Sequence, residues 1–117
     1  MIEQFGMGID ICNINKFKKK PFKDNERFYK KFFSTSEVNY CIKFKNHHEK
    51  FAAKFAIKEA LIKSINEKIP FSQIETSYFN SKILIKILES EKNYRIKASL
   101  SHENEFAIAV VISEKIT

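Results

Sequence analysis

The segment Phe5-Gly6-Met7-Gly8-Ile9-Asp10-Ile11 constrains this 117-residue chain more than any other. It alternates at a period of two. Phe5, Met7, Ile9 and Ile11 share one side of an extended backbone, and Gly6, Gly8 and Asp10 share the other. Both glycines of the chain lie here. Glycine weakens a strand, so a glycine face implies close approach of a ligand or of another backbone, or a strand end with bulges. The pattern predicts a strand over residues 4–12 that leads to a carboxylate, and a carboxylate is expensive to bury unless it is paired or holds a metal.

A second carboxylate stands out in the run Phe51-Ala52-Ala53-Lys54-Phe55-Ala56-Ile57-Lys58-Glu59-Ala60-Leu61-Ile62-Lys63. At 100° per residue, Phe51, Phe55, Ile57, Leu61, Ile62 and Ile65 form a broad apolar arc. Lys54 and Lys58 fall inside that arc, where a buried stem with its ammonium reaching water is the simplest reading. Ala52, Ala56 and Ala60 form a second face, from which Glu59 and Lys63 project one turn apart. A surface ion pair is one reading of Glu59 and Lys63. The other is a hard-cation site beside a phosphate: Asp10 and Glu59 supply oxygen ligands, and Lys63 supplies a point charge.

The remaining chain reads as one domain, residues 1–117. With 44% hydrophobic residues, 2 Gly and 2 Pro, a folded chain is expected rather than disorder. No apolar run is long enough for a membrane helix. Met1-Ile2-Glu3-Gln4 lacks the features of a signal peptide, and Cys12 and Cys41 read as reduced thiols. A cytoplasmic location is expected, or an organelle if a targeting segment has been removed. The net charge of +7 favours an anionic partner.

Asn13 is placed to cap a short helix from Ile14, which Pro21 ends or interrupts, and residues 25–33 look helical. Ser34-Thr35-Ser36-Glu37 matches a capping box and opens a helix over 35–45. A second helix, 47–65, carries Glu59. Strands are predicted at 72–79, 82–89, 94–101 and 105–113. Asn80-Ser81 joins the first two, and Ser90 to Asn93 joins the next two. Phe106 to Ile112 is apolar on both faces, which marks a central strand. The layout is α+β, an antiparallel sheet with helices packed on one side. His47-His48 lacks a third ligand at useful spacing and reads as exposed helix-start residues.

Gly6-Met7-Gly8-Ile9-Asp10-Ile11 resembles the opening motif of the holo-acyl-carrier-protein synthases, small 4′-phosphopantetheinyl transferases. Phe55-Ala56-Ile57-Lys58-Glu59-Ala60 with Lys63 is similar to their central helix. Ser34-Thr35-Ser36-Glu37 is similar to the segment between. Ser99-Leu100-Ser101-His102 followed by Phe106-Ala107-Ile108-Ala109 resembles their C-terminal motif and last strand. The four motifs keep the family's order over nearly the whole chain. The resemblance implies transfer of the phosphopantetheine arm of coenzyme A to a serine of apo-acyl carrier protein, in fatty acid biosynthesis. Adenosine 3′,5′-bisphosphate leaves, and magnesium is required. It further implies Asp10 and Glu59 as metal ligands and Lys63 on phosphate, with Lys58, Ser101 and His102 near the coenzyme. A homotrimer with sites between subunits is the implied assembly.

For the transfer itself, positioning and electrostatic stabilisation are most of the catalysis. The serine hydroxyl needs a base, which we assign to Glu59, directly or through a water it orients. His102 reads equally as base, phosphate donor or satisfied strand histidine. Lys16, Lys19, Lys20 and Lys23 are the candidates for docking an acidic carrier protein. The family's usual pattern differs at Lys54, Ile57, Asn66, Glu67-Lys68-Ile69-Pro70 and Asn80-Ser81-Lys82, which bears on adenine and ribose contacts. Two rival readings remain. A single-stranded nucleic-acid module would use Lys16-Phe17-Lys18-Lys19-Lys20-Pro21-Phe22-Lys23 but leaves Asp10 and Glu59 unexplained. A relative that binds without transferring would keep the motifs but not the activity.

Overall fold

The computed structural model describes residues 2–88 and 93–116. Strand β1, Phe5–Asn13, forms where the alternation predicts it. Helix α1 spans Asn15–Lys18, and the Asn13 side chain accepts a hydrogen bond from the Asn15 amide at 2.9 Å. Helix α2, Glu26–Lys30, is shorter than the predicted 25–33. Helix α3, Thr35–Ile42, begins at the capping box: Ser34 Oγ accepts from the Glu37 amide, and the Glu37 carboxylate accepts from the Ser34 amide. Helix α4 runs His47–Ile65 and stops at Asn66, whose φ of 53° closes the helix in the left-handed region.

Strands β2, Ile74–Phe79, and β3, Lys82–Ile87, form a hairpin. Its turn is Asn80-Ser81, both at positive φ, which suits a two-residue primed turn. Strands β4, Asn93–Glu103, and β5, Phe106–Ile116, complete the molecule. The predicted link from Ser90 to Asn93 falls at residues 90–92, outside the described residues. All pairings are antiparallel. The strands divide into a three-stranded sheet, β1-β5-β4, and the separate β2-β3 hairpin. The segment that is apolar on both faces is indeed the central strand.

Helix α4 crosses the three-stranded sheet on one face. Ala52, Ala56 and Ala60 are wholly buried there, against Ala107, Ala109 and Val111 of β5. The glycine face of β1 is filled by the helix. A Cβ added to Gly8 would lie 1.8 Å from the Ala60 carbonyl oxygen, and one on Gly6 would lie 1.7 Å from that of Ser64. The close approach legible in the sequence is therefore by another backbone, and the alanine face leaves no room for a ligand. Beyond α4, Phe17, Tyr29, Phe33, Phe51 and Phe55 form an aromatic cluster. Burying such a ring contributes about 1.5–3 kcal/mol. The Tyr29 hydroxyl donates to the carbonyls of Phe17 and Lys20, so its polar end is satisfied.

The opposite face of the sheet is open. Met7, Ile9 and Ile11 are 71%, 61% and 59% exposed. In register beside them lie Ile112, Val110 and Ile108 of β5. No helix among the described residues is long and apolar enough to cross a membrane.

Candidate active site

Strand β1 and helix α4 meet so closely that residues flanking the glycines and alanines become neighbours. Asp10 lies at the end of the glycine face, with its side chain 16% exposed. Lys63 reaches across from α4. Its ammonium donates to the Ile9 carbonyl at 3.0 Å and contacts Asp10 Oδ1 at 3.4 Å. The lysine itself is about half exposed. The sequence-level alternative of a Glu59–Lys63 surface pair is thus replaced by a bridge from helix to strand. Glu59 is half-buried beside Ala60 on α4.

Glu59 lies one turn before Lys63 on the helix, on the side from which Lys63 reaches Asp10. Burial is the main cause that pushes the Cys12 thiol to about 11, opposed by the charge of Lys16 and reinforced by those of Asp10 and Glu59. Lys63 and Asp10 thus meet across the β1–α4 junction, with Glu59 one helical turn from Lys63. At neutral pH the Cys12 thiol stays protonated, so the donors offered here are the carboxyl oxygens of Asp10 and Glu59. Oxygen-only donors suit a hard divalent cation that keeps several waters and takes further oxygens from a phosphate. Among the described residues no group of three His, Cys, Asp or Glu converges. The arrangement thus fits a cation shared with a substrate better than a closed protein cage.

Lys58 is not part of this arrangement. Its ammonium is wholly buried and donates to Glu37 Oε1 at 2.6 Å, to the Phe32 carbonyl at 2.7 Å and to the Phe71 carbonyl at 3.4 Å. The coenzyme contact expected of Lys58 is corrected accordingly: all of its donors are used inside the core. Lys54 is also buried rather than reaching water, and it donates to Thr76 O and Oγ1 at 3.0 and 2.9 Å. The wheel placed both lysines inside the apolar arc, but their partners lie 13 or more residues away in sequence.

Ser101 and His102 are adjacent on β4 and so point to opposite faces. Ser101 stands in the row Ile11–Ile108–Ser101, on the open face of the sheet. His102 stands in the row Cys12–Ala107–His102, on the helix side, two strands from β1. Both are exposed. Within one chain the structure does not bring Ser101 to Asp10. Of the docking candidates, Lys16 lies over the Phe55 ring at 3.7 Å and Lys20 over Phe28 at 4.4 Å. Lys16, Lys19, Lys20 and Lys23 are all exposed along α1 and the turn after it. The His47 and His48 rings lie 4.1 Å apart and tilted by 51° at the start of α4, both half-buried rather than exposed.

Comparison with known proteins places this geometry. Residues 6–111 match the 4′-phosphopantetheinyl transferase superfamily. The holo-[acyl-carrier-protein] synthase of Halothermothrix orenii is 39% identical, over 94% of this chain and 97% of its own. That of Chlamydia trachomatis is 34% identical, over 94% and 99%. Among solved structures, the Helicobacter pylori holo-[acyl-carrier-protein] synthase in complex with coenzyme A superposes with a TM-score of 0.79. It is 31% identical, over 92% of this chain and 99% of that one. The Bacillus anthracis enzyme, in complex with CoA (3′,5′-ADP), gives 0.77 at 29% identity, over 95% and 96%. With its motifs, its fold and its full-length relatives in agreement, the chain belongs to the 4′-phosphopantetheinyl transferase superfamily, among the holo-[acyl-carrier-protein] synthases.

Proposed function

We propose that this protein transfers the 4′-phosphopantetheine group of coenzyme A to a serine of apo-acyl carrier protein. The observation that carries the reading is the β1–α4 junction, where the half-exposed Lys63 bridges from the helix to Asp10, one turn from Glu59. The serine oxygen attacks the β-phosphorus of the coenzyme's pyrophosphate. A phosphorus–oxygen bond forms, the bond to the bridging oxygen breaks, and adenosine 3′,5′-bisphosphate leaves with the electron pair. The serine proton goes to Glu59.

Asp10 and Glu59 would hold a magnesium ion, which supplies charge neutralisation at the pyrophosphate when bound. Lys63 is the residue free to change partners. It is half exposed, its contact with Asp10 is long, and its flexible stem lets the ammonium turn to a phosphate oxygen. The exposed lysines Lys16, Lys19, Lys20 and Lys23 give an acidic carrier protein a basic face next to the site, which speeds encounter.

A homotrimer with sites between subunits belongs to the same reading. Two features support it. The open sheet face carries the exposed row Met7, Ile9 and Ile11. Ser101 lies on that face, away from the Asp10 of its own chain, where in a trimer it would face a neighbour. Fatty acid biosynthesis in the cytoplasm is the setting this reaction implies.

The test is intact-mass spectrometry of apo-acyl carrier protein incubated with the protein, coenzyme A and Mg2+. A phosphopantetheinyl mass gain is expected, and it is lost with EDTA, with Asp10→Ala and with Glu59→Ala. No gain with any of several carrier proteins, from folded protein, overturns the proposal.

A further inference from the structure

A buried polar network behind α4 has no part in the chemistry described above. Glu37 is its centre, and the carboxylate is saturated. Oε1 accepts from the Ser34 amide at 2.9 Å and from Lys58 at 2.6 Å. Oε2 accepts from the Thr76 amide at 2.8 Å and from Thr76 Oγ1 at 2.6 Å. Four donors fill the four lone-pair positions of a carboxylate. Lys58 adds the Phe32 and Phe71 carbonyls, and Lys54, one turn earlier, adds the Thr76 carbonyl and hydroxyl. Two ammonium groups on one face of α4 are thereby fixed to the α2–α3 link, the start of α3, the segment before β2, and β2 itself.

Such a network is an unusual way to gain stability. Replacing a buried ion pair by packed apolar side chains is often neutral or stabilising. What fixed charges do provide is a unique orientation. Lys58 and Glu59 are consecutive, so their directions differ by about 100° around the helix axis. Among the described residues Glu59 makes no side-chain hydrogen bond, so its aim follows the roll of α4. The glycine contacts with β1 set how deep the helix sits. The buried Phe51, Ile57 and Leu61 pack its apolar arc, and the two ammonium groups add directed bonds beside that packing.

We propose that Glu37, through Lys58, is a positioning residue for Glu59: the buried pair locks the roll of α4 so that Glu59 meets Asp10. The proposal rests on the reading of Asp10 and Glu59 as the cation site. It gives Ser34-Thr35-Ser36-Glu37, which lies between Asp10 and Glu59 in sequence, a part in the site. Its glutamate is read locally as half of a capping box, yet the same carboxylate holds the helix that carries the second ligand. A misplacement of about 1 Å at such a site costs on the order of 10²-fold in rate.

The experiment compares the parent with Glu37→Gln/Lys58→Met, which removes both charges together and leaves no unpaired ammonium. Glu37→Asp keeps the charge but shortens its reach. Mn2+ affinity is measured by electron paramagnetic resonance, alongside thermal melting and transfer kinetics per folded molecule. The double variant is expected to melt cooperatively near the parent temperature, while Mn2+ affinity and kcat fall by about 10- to 100-fold. Glu37→Asp is expected to weaken Mn2+ binding in the same direction, and it decides the matter if the double variant does not fold. Mn2+ affinity and kcat within about twofold of the parent, in a folded variant, overturn the positioning role. Glu59→Ala separates the two claims. Loss of Mn2+ binding there, with binding retained in the Glu37 variants, overturns this proposal alone. Retained binding in Glu59→Ala overturns the cation site and this proposal with it.

Discussion

Gly8 and Lys63 occupy neighbouring positions at the site yet should respond to substitution in opposite ways. A methyl group at Gly8 meets the Ala60 carbonyl oxygen at 1.8 Å, which is backbone and has little freedom to yield. Gly8→Ala should push β1 from α4 and cost about 3 kcal/mol, at the upper end for overpacking, in a denaturant titration. It should also reduce transfer, because Asp10 lies two residues along the displaced strand. Lys63 is half exposed, and its contacts to Ile9 and Asp10 are open to water. Lys63→Ala should leave stability within about 0.5 kcal/mol while transfer falls steeply. A Lys63 variant that loses stability as Gly8→Ala does would show that the ammonium is a structural tie rather than a phosphate contact. The cysteines give a third residue-level expectation. Burial pushes Cys12 from 9.0 to about 11 and Cys41 to about 12. Raised folded values mean that this stability is fully present below pH 9 and is lost as pH rises towards 11–12. Neither thiol should react with Ellman's reagent at pH 8 in the native protein, and Cys41→Ala should flatten the alkaline limb of the stability curve.

At the level of elements, the depressed titration of Glu37 links α3 to α4. Burial alone would raise its carboxyl. The charge and hydrogen bond of Lys58, with those of Thr76 and Ser34, outweigh burial and hold it below its ordinary 4.5. A depressed folded value contributes stability above pH 4.5 that is lost as pH falls through the folded value. Acid unfolding should therefore begin below pH 4.5, and Glu37→Gln/Lys58→Met should have the shallower acid limb. An unchanged limb would mean that the pair does not govern acid stability. This element also marks how far the sequence can be read. The wheel of α4 placed Lys54 and Lys58 in an apolar arc, and the capping box placed Glu37 at the start of α3. Each is a local pattern. That the three join, through Thr76, depends on contacts between residues 21 to 39 positions apart, and no period in the chain records them. Strand β1 was legible because its apolar positions repeat at 2, β5 because it is apolar on both faces, and α3 because a capping box opens it. Asp10, Glu59 and Lys63 were legible because a charged group amid small residues has few inexpensive explanations. Ser101 and His102 were legible as a motif but not as a place, since adjacent residues on a strand cannot face the same site of one chain.

For the whole molecule, the sheet face opposite α4 poses a question of assembly. Met7, Ile9 and Ile11 stand beside Ile112, Val110 and Ile108, and a monomer rarely leaves such a contiguous row to water. β5 is central and apolar on both faces, but within one chain only one face is covered. A trimer closed through this surface would cover the other face and bring Ser101 towards the Asp10 and Glu59 of a neighbour. Ile9→Asp places a carboxylate in the middle of the row, on the side away from α4. Sedimentation should then show a folded monomer with little transfer activity, where the parent is expected to sediment as a trimer. A parent that is monomeric while fully active would remove the shared-site reading. Mixed assemblies provide the stricter check. Glu59→Ala subunits lack the carboxylate, and Ser101→Asp subunits present a repelling charge to the coenzyme. Each alone should be inactive. After random co-assembly, a site that takes Glu59 from one subunit and Ser101 from the next is intact in about a quarter of cases, and that share of activity should return. If each site lay within one subunit, no combination would restore it, and the mixture would stay as inactive as its parts.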